Sequence, residues 1–281
     1  MDKLSKEKNS ILIVVKQALA EDIGDGDVTS ICTIPGDTRA AGRMIAKEMG
    51  VIAGLEVAGM VFAAIDKSVK FVPVVQDGAS VKKGDLIAGI SGPARSILEA
   101  ERVALNFLQR MSGIATLTRK FVKAVEGTSA VILDTRKTVP GLRLTDKWAV
   151  RLGGGQNHRI GLYDMVMVKD NHIAAVGSIT KAVAMVKEKD KRNRPIEVEV
   201  KNLKELEEAL GLKIDRIMLD NMSTDEMKQA VKLTDGRIPL EASGNVNPGT
   251  VAGIAATGVD YISVGMLTHS VKALDISLLL E

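Results

Sequence analysis

The chain has little of what several common functions require. One cysteine, Cys32, stands among 281 residues, so neither an internal disulfide nor a cysteine-built zinc site can form. Four Phe, two Tyr and one Trp are too few for the aromatic platforms on which single-strand binders stack bases. The three histidines, His158, His172 and His269, lie far apart, with no His-x-His or His-Glu-x-x-His pair to suggest a catalytic metal cluster. No Gly-x-Ser-x-Gly elbow occurs, and no Gly-x-Gly-x-x-Gly follows a strand, which argues against a serine nucleophile and a dinucleotide cofactor. Charge of one sign is also missing: 38 basic against 35 acidic residues leave +3, giving no reason to expect nucleic acid or a membrane as partner. No apolar run approaches the roughly 20 residues of a membrane span. Near the start, Lys3, Lys6 and Lys8 precede Ile11–Val15, and Ala18-Leu19-Ala20 imitates a cleavage site. That five-residue apolar run falls short of the roughly 7–15 of a secretory core. Ile11, Val14, Val15, Ala18 and Leu19 instead follow helical spacing, so the segment reads as a retained amphipathic helix and the protein as cytoplasmic.

With 46% hydrophobic residues, the chain can build one large or two ordinary cores. Its organisation changes near residue 112. The first part carries strand-like pieces at Arg43–Lys47 and Val69–Val75, turn signals from Gly78 to Gly92-Pro93, and a helical pattern from Ser96 to Gly113. Beyond it, apolar runs begin at Val131, Met165, Ile196, Ile217, Ile238 and Tyr261, with helical patterns in most of the intervals. Strands alternating with helices at this spacing are parallel βαβ units. Six in succession favour barrel-like closure, with a doubly wound sheet as the alternative.

Each of these runs ends on chemically loaded residues: Asp134-Thr135-Arg136-Lys137, Lys169-Asp170-Asn171-His172, Glu199, Asp220-Asn221, Ser243-Gly244 and Gly265. Any one of them alone reads as a turn residue or a helix cap. Together, at the carboxyl ends of successive strands, they predict one polar pocket. Arg136, Lys137, His158, Arg159 and Lys169 suit a ligand bearing carboxylates or phosphates. Glu199 and Asp220 oppose them and are the oxygen donors that magnesium takes, or else salt-bridge partners of the cations. The run Gly153-Gly154-Gly155 reads as a loop bringing backbone amides to a ligand, and Ser243-Gly244 with Gly265 as a phosphate site. Gly244–Gly249 has P-loop spacing, but Thr250 stands where lysine is required. Cys32 reads as a small buried residue.

These motifs resemble those of the quinolinate phosphoribosyltransferases. The likeness is carried by D-T-R-K-T at Asp134–Thr138, P-G-L-R at Pro140–Arg143, G-G-G-Q-N-H-R-I-G-L-Y-D at Gly153–Asp164 and K-D-N-H at Lys169–His172. It continues through E-V-E-V at Glu197–Val200, L-D-N at Leu219–Asn221, E-A-S-G at Glu241–Gly244 and S-V-G-M-L-T-H-S at Ser263–Ser270. Earlier in the chain, Ala18–Ser30 and E-R-x-x-L-N-F at Glu101–Phe107 agree as well. Asn245 departs from the pattern, standing where glycine is expected after Ser243-Gly244.

The resemblance implies an open α/β barrel over residues 113–269 and an N-terminal α/β sandwich domain over 1–112, to which 270–281 returns. It implies transfer of phosphoribose from phosphoribosyl pyrophosphate to quinolinate with decarboxylation, giving nicotinate mononucleotide, pyrophosphate and carbon dioxide. By the same resemblance Arg102, Arg136, His158, Arg159 and Lys169 hold the substrate carboxylates. Ser243, Gly244, Asn245, Ser263 and Gly265, with Thr135 in the neighbouring loop, complete the substrate-binding set. Lys137, Lys169, Glu199 and Asp220 serve catalysis, with magnesium on Glu199 and Asp220 and no organic cofactor. The implied assembly is a homodimer, or a hexamer built from it, in which Arg102 reaches the partner's site. The rivals are a phosphoribosyltransferase for another acid such as nicotinate, and a carrier module suggested by Asp77–Asp85. The carrier reading lacks its modified lysine at the tip of a tight hairpin.

Overall fold

A computed structural model describes residues 3–281, with side chains from residue 7 onward, so the side chains of Lys3 and Lys6 lie outside the described residues. Along the chain run α1 (Lys3–Ile23), α2 (Val28–Thr33), β1 (Arg39–Ala46), β2 (Gly50–Val51), α3 (Leu55–Ile65), β3 (Lys70–Pro73), β4 (Ser80–Val81), β5 (Leu86–Pro93) and α4 (Ala94–Ala124). Then come β6 (Val131–Leu133), α5 (Arg143–Leu152), β7 (Val166–Val168), α6 (Asp170–Val176), α7 (Ile179–Lys189), β8 (Ile196–Val200) and α8 (Leu203–Leu210). The rest comprises β9 (Arg216–Asp220), α9 (Thr224–Thr234), β10 (Leu240–Ser243), α10 (Val251–Ala255), β11 (Tyr261–Ser263), α11 (Met266–His269) and β12 (Ile276–Leu280). No helix among the described residues is long and apolar enough to cross a membrane.

The chain forms two units. The first comprises Met1–Arg119, Thr138–Gly154 and Ser270–Glu281; the second comprises Lys120–Lys137 and Gly155–His269. The first is an α/β sandwich built on an antiparallel sheet of order β12-β1-β5-β3. Its helices bury one stripe each, as the spacing of their apolar residues requires. Ile11, Val15 and Leu19 of α1 are buried, and so are Ile97, Ala104, Leu108, Met111 and Ala115 of α4. Asp77 accepts the amides of Gly54 and Leu55 (2.8 and 3.1 Å), so the segment that resembles a carrier hairpin caps the start of α3.

Residues 270–281 return to the first unit, and α5 belongs to it as well although it lies between β6 and β7 in sequence; the border between the units runs inside α4. A half-buried ion pair joins the two helices. Arg110 of α4 grips Asp146 of α5 through Nε–Oδ1 (2.9 Å) and a terminal nitrogen to Oδ2 (2.8 Å). Gly153 ends α5 with its α-carbon against Thr118, where a Cβ would lie 2.5 Å from the Thr118 Cβ. The glycine at 153 therefore serves helix packing, not the ligand loop expected of it. Cys32 also departs from expectation: it is exposed, because Ser30 is the one buried residue of the short α2.

The second unit is a six-stranded parallel sheet of order β6-β11-β10-β9-β8-β7. A doubly wound sheet reverses direction at a switch point. Here β7 to β11 follow one another without reversal and β6 lies beside β11, which is the cyclic order of a barrel with its β6–β7 seam left open. Parallel strands need a crossover, usually a helix. The crossover helices start on strong caps: Ser178 for α7, Asn202 for α8, and Ser223 with Glu226 in a capping box for α9.

Candidate active site

Alternation along the strands builds the site. In β8, Ile196, Val198 and Val200 are buried on one face, while Glu197 and Glu199 point to the other. Register carries that second face across the sheet, aligning Met167, Glu197 and Arg216, then Glu199, Met218, Glu241 and Tyr261, then Asp220 with Ser243. A cavity of about 710 Å³ opens on this face at the carboxyl ends of the strands.

Four cations line the cavity: Arg136, Lys137, Arg159 and Lys169. The loop after β6 holds Lys137 by its backbone, whose amide donates to Thr135 Oγ1 (3.0 Å) and whose carbonyl accepts from Thr268 Oγ1 (2.8 Å). Gly265 lies under the Lys137 side chain, and a Cβ there would approach Lys137 Cδ to 3.0 Å. Burial, then the neighbouring Arg136, lowers the pKa of Arg159. Two guanidiniums crowded in a half-enclosed space favour an anion between them. On the opposite side stand Glu199 and Asp220. Burial raises the pKa of Glu199, and the negative charges of Asp220 and Asp170 add to the effect. Carboxylates that repel one another suit a bound cation, and their oxygens suit magnesium.

The loop after β10 forms the third wall. Gly244 has φ +100°, and a Cβ on it would collide with the Asn221 side chain. Asn245 takes φ +52° and donates from Nδ2 to Asn221 Oδ1 (3.2 Å), while Asn221 Nδ2 reaches Asp220 Oδ2 (2.9 Å). Ser243, Gly244, Asn245, Ser263 and Thr135 also line the cavity. Arg102 does not; it is exposed on α4 of the first unit.

His158 lines the cavity but turns both ring nitrogens to the protein. Nδ1 accepts the Arg159 amide (2.7 Å), and Nε2 faces Glu197 (2.9 Å) and Glu241 (3.3 Å). Burial opposes the imidazolium, yet the two carboxylates raise the pKa to about 9. The Arg159 amide at Nδ1 works with burial against the second proton, and the two carboxylates outweigh both. Glu197, Arg216 and Glu241 lie within the strands and not at the strand ends that carry the other site candidates. The alternation I-E-V-E-V, which puts Glu197 on the Glu199 face, was the available signal.

Comparison with known proteins identifies the family. Residues 27–112 match the N-terminal domain of quinolinate phosphoribosyl transferase, and residues 114–279 match its C-terminal domain. The chain belongs to this family. It is 50% identical over 287 residues to the chloroplastic nicotinate-nucleotide pyrophosphorylase (carboxylating) of Oryza sativa subsp. japonica, covering 95% of this chain and 77% of that protein. It is 45% identical over 258 residues to the probable nicotinate-nucleotide pyrophosphorylase (carboxylating) of Bacillus subtilis, covering 92% and 89%. The solved nicotinate-nucleotide pyrophosphorylase of Francisella tularensis superposes with a TM-score of 0.92 at 42% identity, covering 97% and 96%. The family is that of a phosphoribosyltransferase enzyme, and its fold of open barrel and sandwich domain is the one described above.

Proposed function

We propose that the cavity joins quinolinate to phosphoribosyl pyrophosphate and decarboxylates the product, yielding nicotinate mononucleotide, pyrophosphate and carbon dioxide for NAD biosynthesis. The observation that carries this reading is the polarity of one cavity: a cationic wall with crowded guanidiniums faces a carboxylate pair, with a glycine-bearing loop beside both.

Arg136, Arg159 and Lys169 take the two carboxylates of the pyridine acid and aim its ring nitrogen at the anomeric carbon of the ribose. The nitrogen–carbon bond forms as the carbon–oxygen bond to pyrophosphate breaks. Positive charge grows on the sugar and negative charge on the leaving group, which Lys137 and Lys169 stabilise. Ser243, Gly244 and Asn245, with Ser263 and Gly265 across the cavity, hold the 5-phosphate. Glu199 and Asp220 hold magnesium, which when bound supplies positive charge to the departing pyrophosphate. In the alkylated ring the adjacent carbon–carboxylate bond breaks, its electron pair stays on the cationic ring, and the ring carbon then takes a proton. No organic cofactor is needed, because the substrate itself is the electron sink.

We place Arg102 in the site of a partner chain within a homodimer, and the protein in the cytoplasm. The exposure of Arg102 on α4 supports a shared site.

The test is release of carbon dioxide from carboxyl-labelled quinolinate, with nicotinate as control. Release that needs both phosphoribosyl pyrophosphate and magnesium is the expected result. Turnover of nicotinate with none of quinolinate would overturn the reading in favour of a phosphoribosyltransferase for a monocarboxylic acid.

A further inference from the structure

Beneath the cationic wall lies buried charge for which the reaction above has no use. Glu197 of β8 and Glu241 of β10 are both 0% exposed, and both face His158 from strands separated only by β9. Arg216 of β9 donates to Glu241 Oε2 (2.8 Å) and lies 4.1 Å over the ring of Tyr261. Below them, Asp134 accepts the His158 amide (2.9 Å) and the Asn157 side chain (2.5 Å). Two carboxylates side by side in a strand interior are a poor way to stabilise a fold; apolar groups of similar size fill such space at lower cost. Their arrangement defines a direction instead. They face the His158 ring at Nε2, and its Nδ1 takes the amide of the 158–159 peptide. Arg159 rises from that peptide to the cavity, steadied further by Met165 O (3.3 Å) and Met167 Sδ (3.4 Å).

We propose that Glu197 and Glu241 are positioning residues for the acid-binding wall: by locking His158 they fix the root of Arg159, and so the direction in which its guanidinium meets a substrate carboxylate. His158 acts here as a strut. This inference rests on the functional reading above and concerns one of its two substrates only. A carboxylate held by a guanidinium fork is sensitive to small errors of direction. Arg159 is not among the groups assigned above to the sugar donor.

The experiment measures the Michaelis constants of both substrates on the full-length enzyme. Glu197→Leu removes the carboxylate that lies 2.9 Å from Nε2 at similar volume, and Glu197→Gln keeps an oxygen in its place. Glu197→Leu is expected to raise KM for quinolinate at least tenfold and to leave KM for phosphoribosyl pyrophosphate within twofold. Glu197→Gln is expected to bring the former back to within threefold of wild type. Adding His158→Leu to Glu197→Leu should cost little more, since both remove the same strut. A merely structural carboxylate predicts otherwise: lower melting temperature and less active enzyme, with both Michaelis constants moving together or neither. That result overturns the proposal, as does full additivity of the two substitutions. Should Glu197→Leu not fold, Glu197→Asp draws the carboxylate back by one methylene and carries the same expectation. Wild type that turns over nicotinate alone sinks the functional reading; the same split is then read with nicotinate against the sugar donor. Wild type that turns over neither acid overturns both.

Discussion

Asn245 stands in a left-handed conformation that glycine adopts freely and asparagine tolerates better than most residues. Its side chain does what glycine could not, tying the loop after β10 to Asn221 and through it to Asp220. Asn245→Gly keeps the backbone path and removes the tie. A net loss of about 0.5–1 kcal/mol for one neutral hydrogen bond corresponds to a rise of about threefold in KM for phosphoribosyl pyrophosphate, with KM for quinolinate unchanged. Initial-rate kinetics in both substrates check this; a change confined to quinolinate would mean that the loop holds the acid. The conformation was readable from residue type. The partner of the side chain was not, because Asn221 lies on a different strand.

At the scale of elements, the pairing of α4 with α5 depends on one buried carboxylate. Asp146 is 0% exposed, and burial raises its pKa even with Arg110 in place. Arg110→Ala strands that charge and is expected to cost about 3–5 kcal/mol of unfolding free energy at neutral pH. The pH dependence follows from the direction of the shift. A carboxyl whose folded pKa lies above its unfolded one binds protons more tightly in the folded state, so stability falls as pH rises through that interval. Removing Arg110 raises the folded value further. The deficit of the variant should therefore be largest at neutral pH and shrink as pH falls toward the ordinary carboxylate range, as urea titrations at several pH values can measure. A constant deficit would mean that lost packing, not stranded charge, sets the cost. The strands and crossover helices of the second unit were legible from apolar runs, because each satisfies its hydrogen bonds locally or with a near neighbour. The allegiance of α5 was not. Nothing in the sequence between Thr138 and Gly154 says that Asp146 will be met by an arginine from α4.

For the whole molecule, the proposed homodimer makes a prediction about Arg102, which is exposed on α4. In a shared site, Arg102→Ala and Arg136→Ala chains are each inactive as homodimers. Mixed chains regain activity, because one of the two sites in each heterodimer is intact. About a quarter of wild-type activity is expected from an equal mixture that exchanges freely, since half the dimers are mixed and each carries one good site of two. Mixtures that stay inactive while exchange is demonstrated would place Arg102 outside the site.

The sequence by itself determined the class of fold, the polar residues gathered at the strand ends and the sign of charge on each wall. Those features follow from local periodicity and from the rule that parallel strands gather their carboxyl ends. Only the tertiary structure decided which buried carboxylates face one histidine, which helix pairs with α4, and that Gly153 packs where a ligand loop was expected. These depend on distances between residues far apart in the chain. Burial then sets the cost of each charge, and burial exists only once the strands and helices have closed over it.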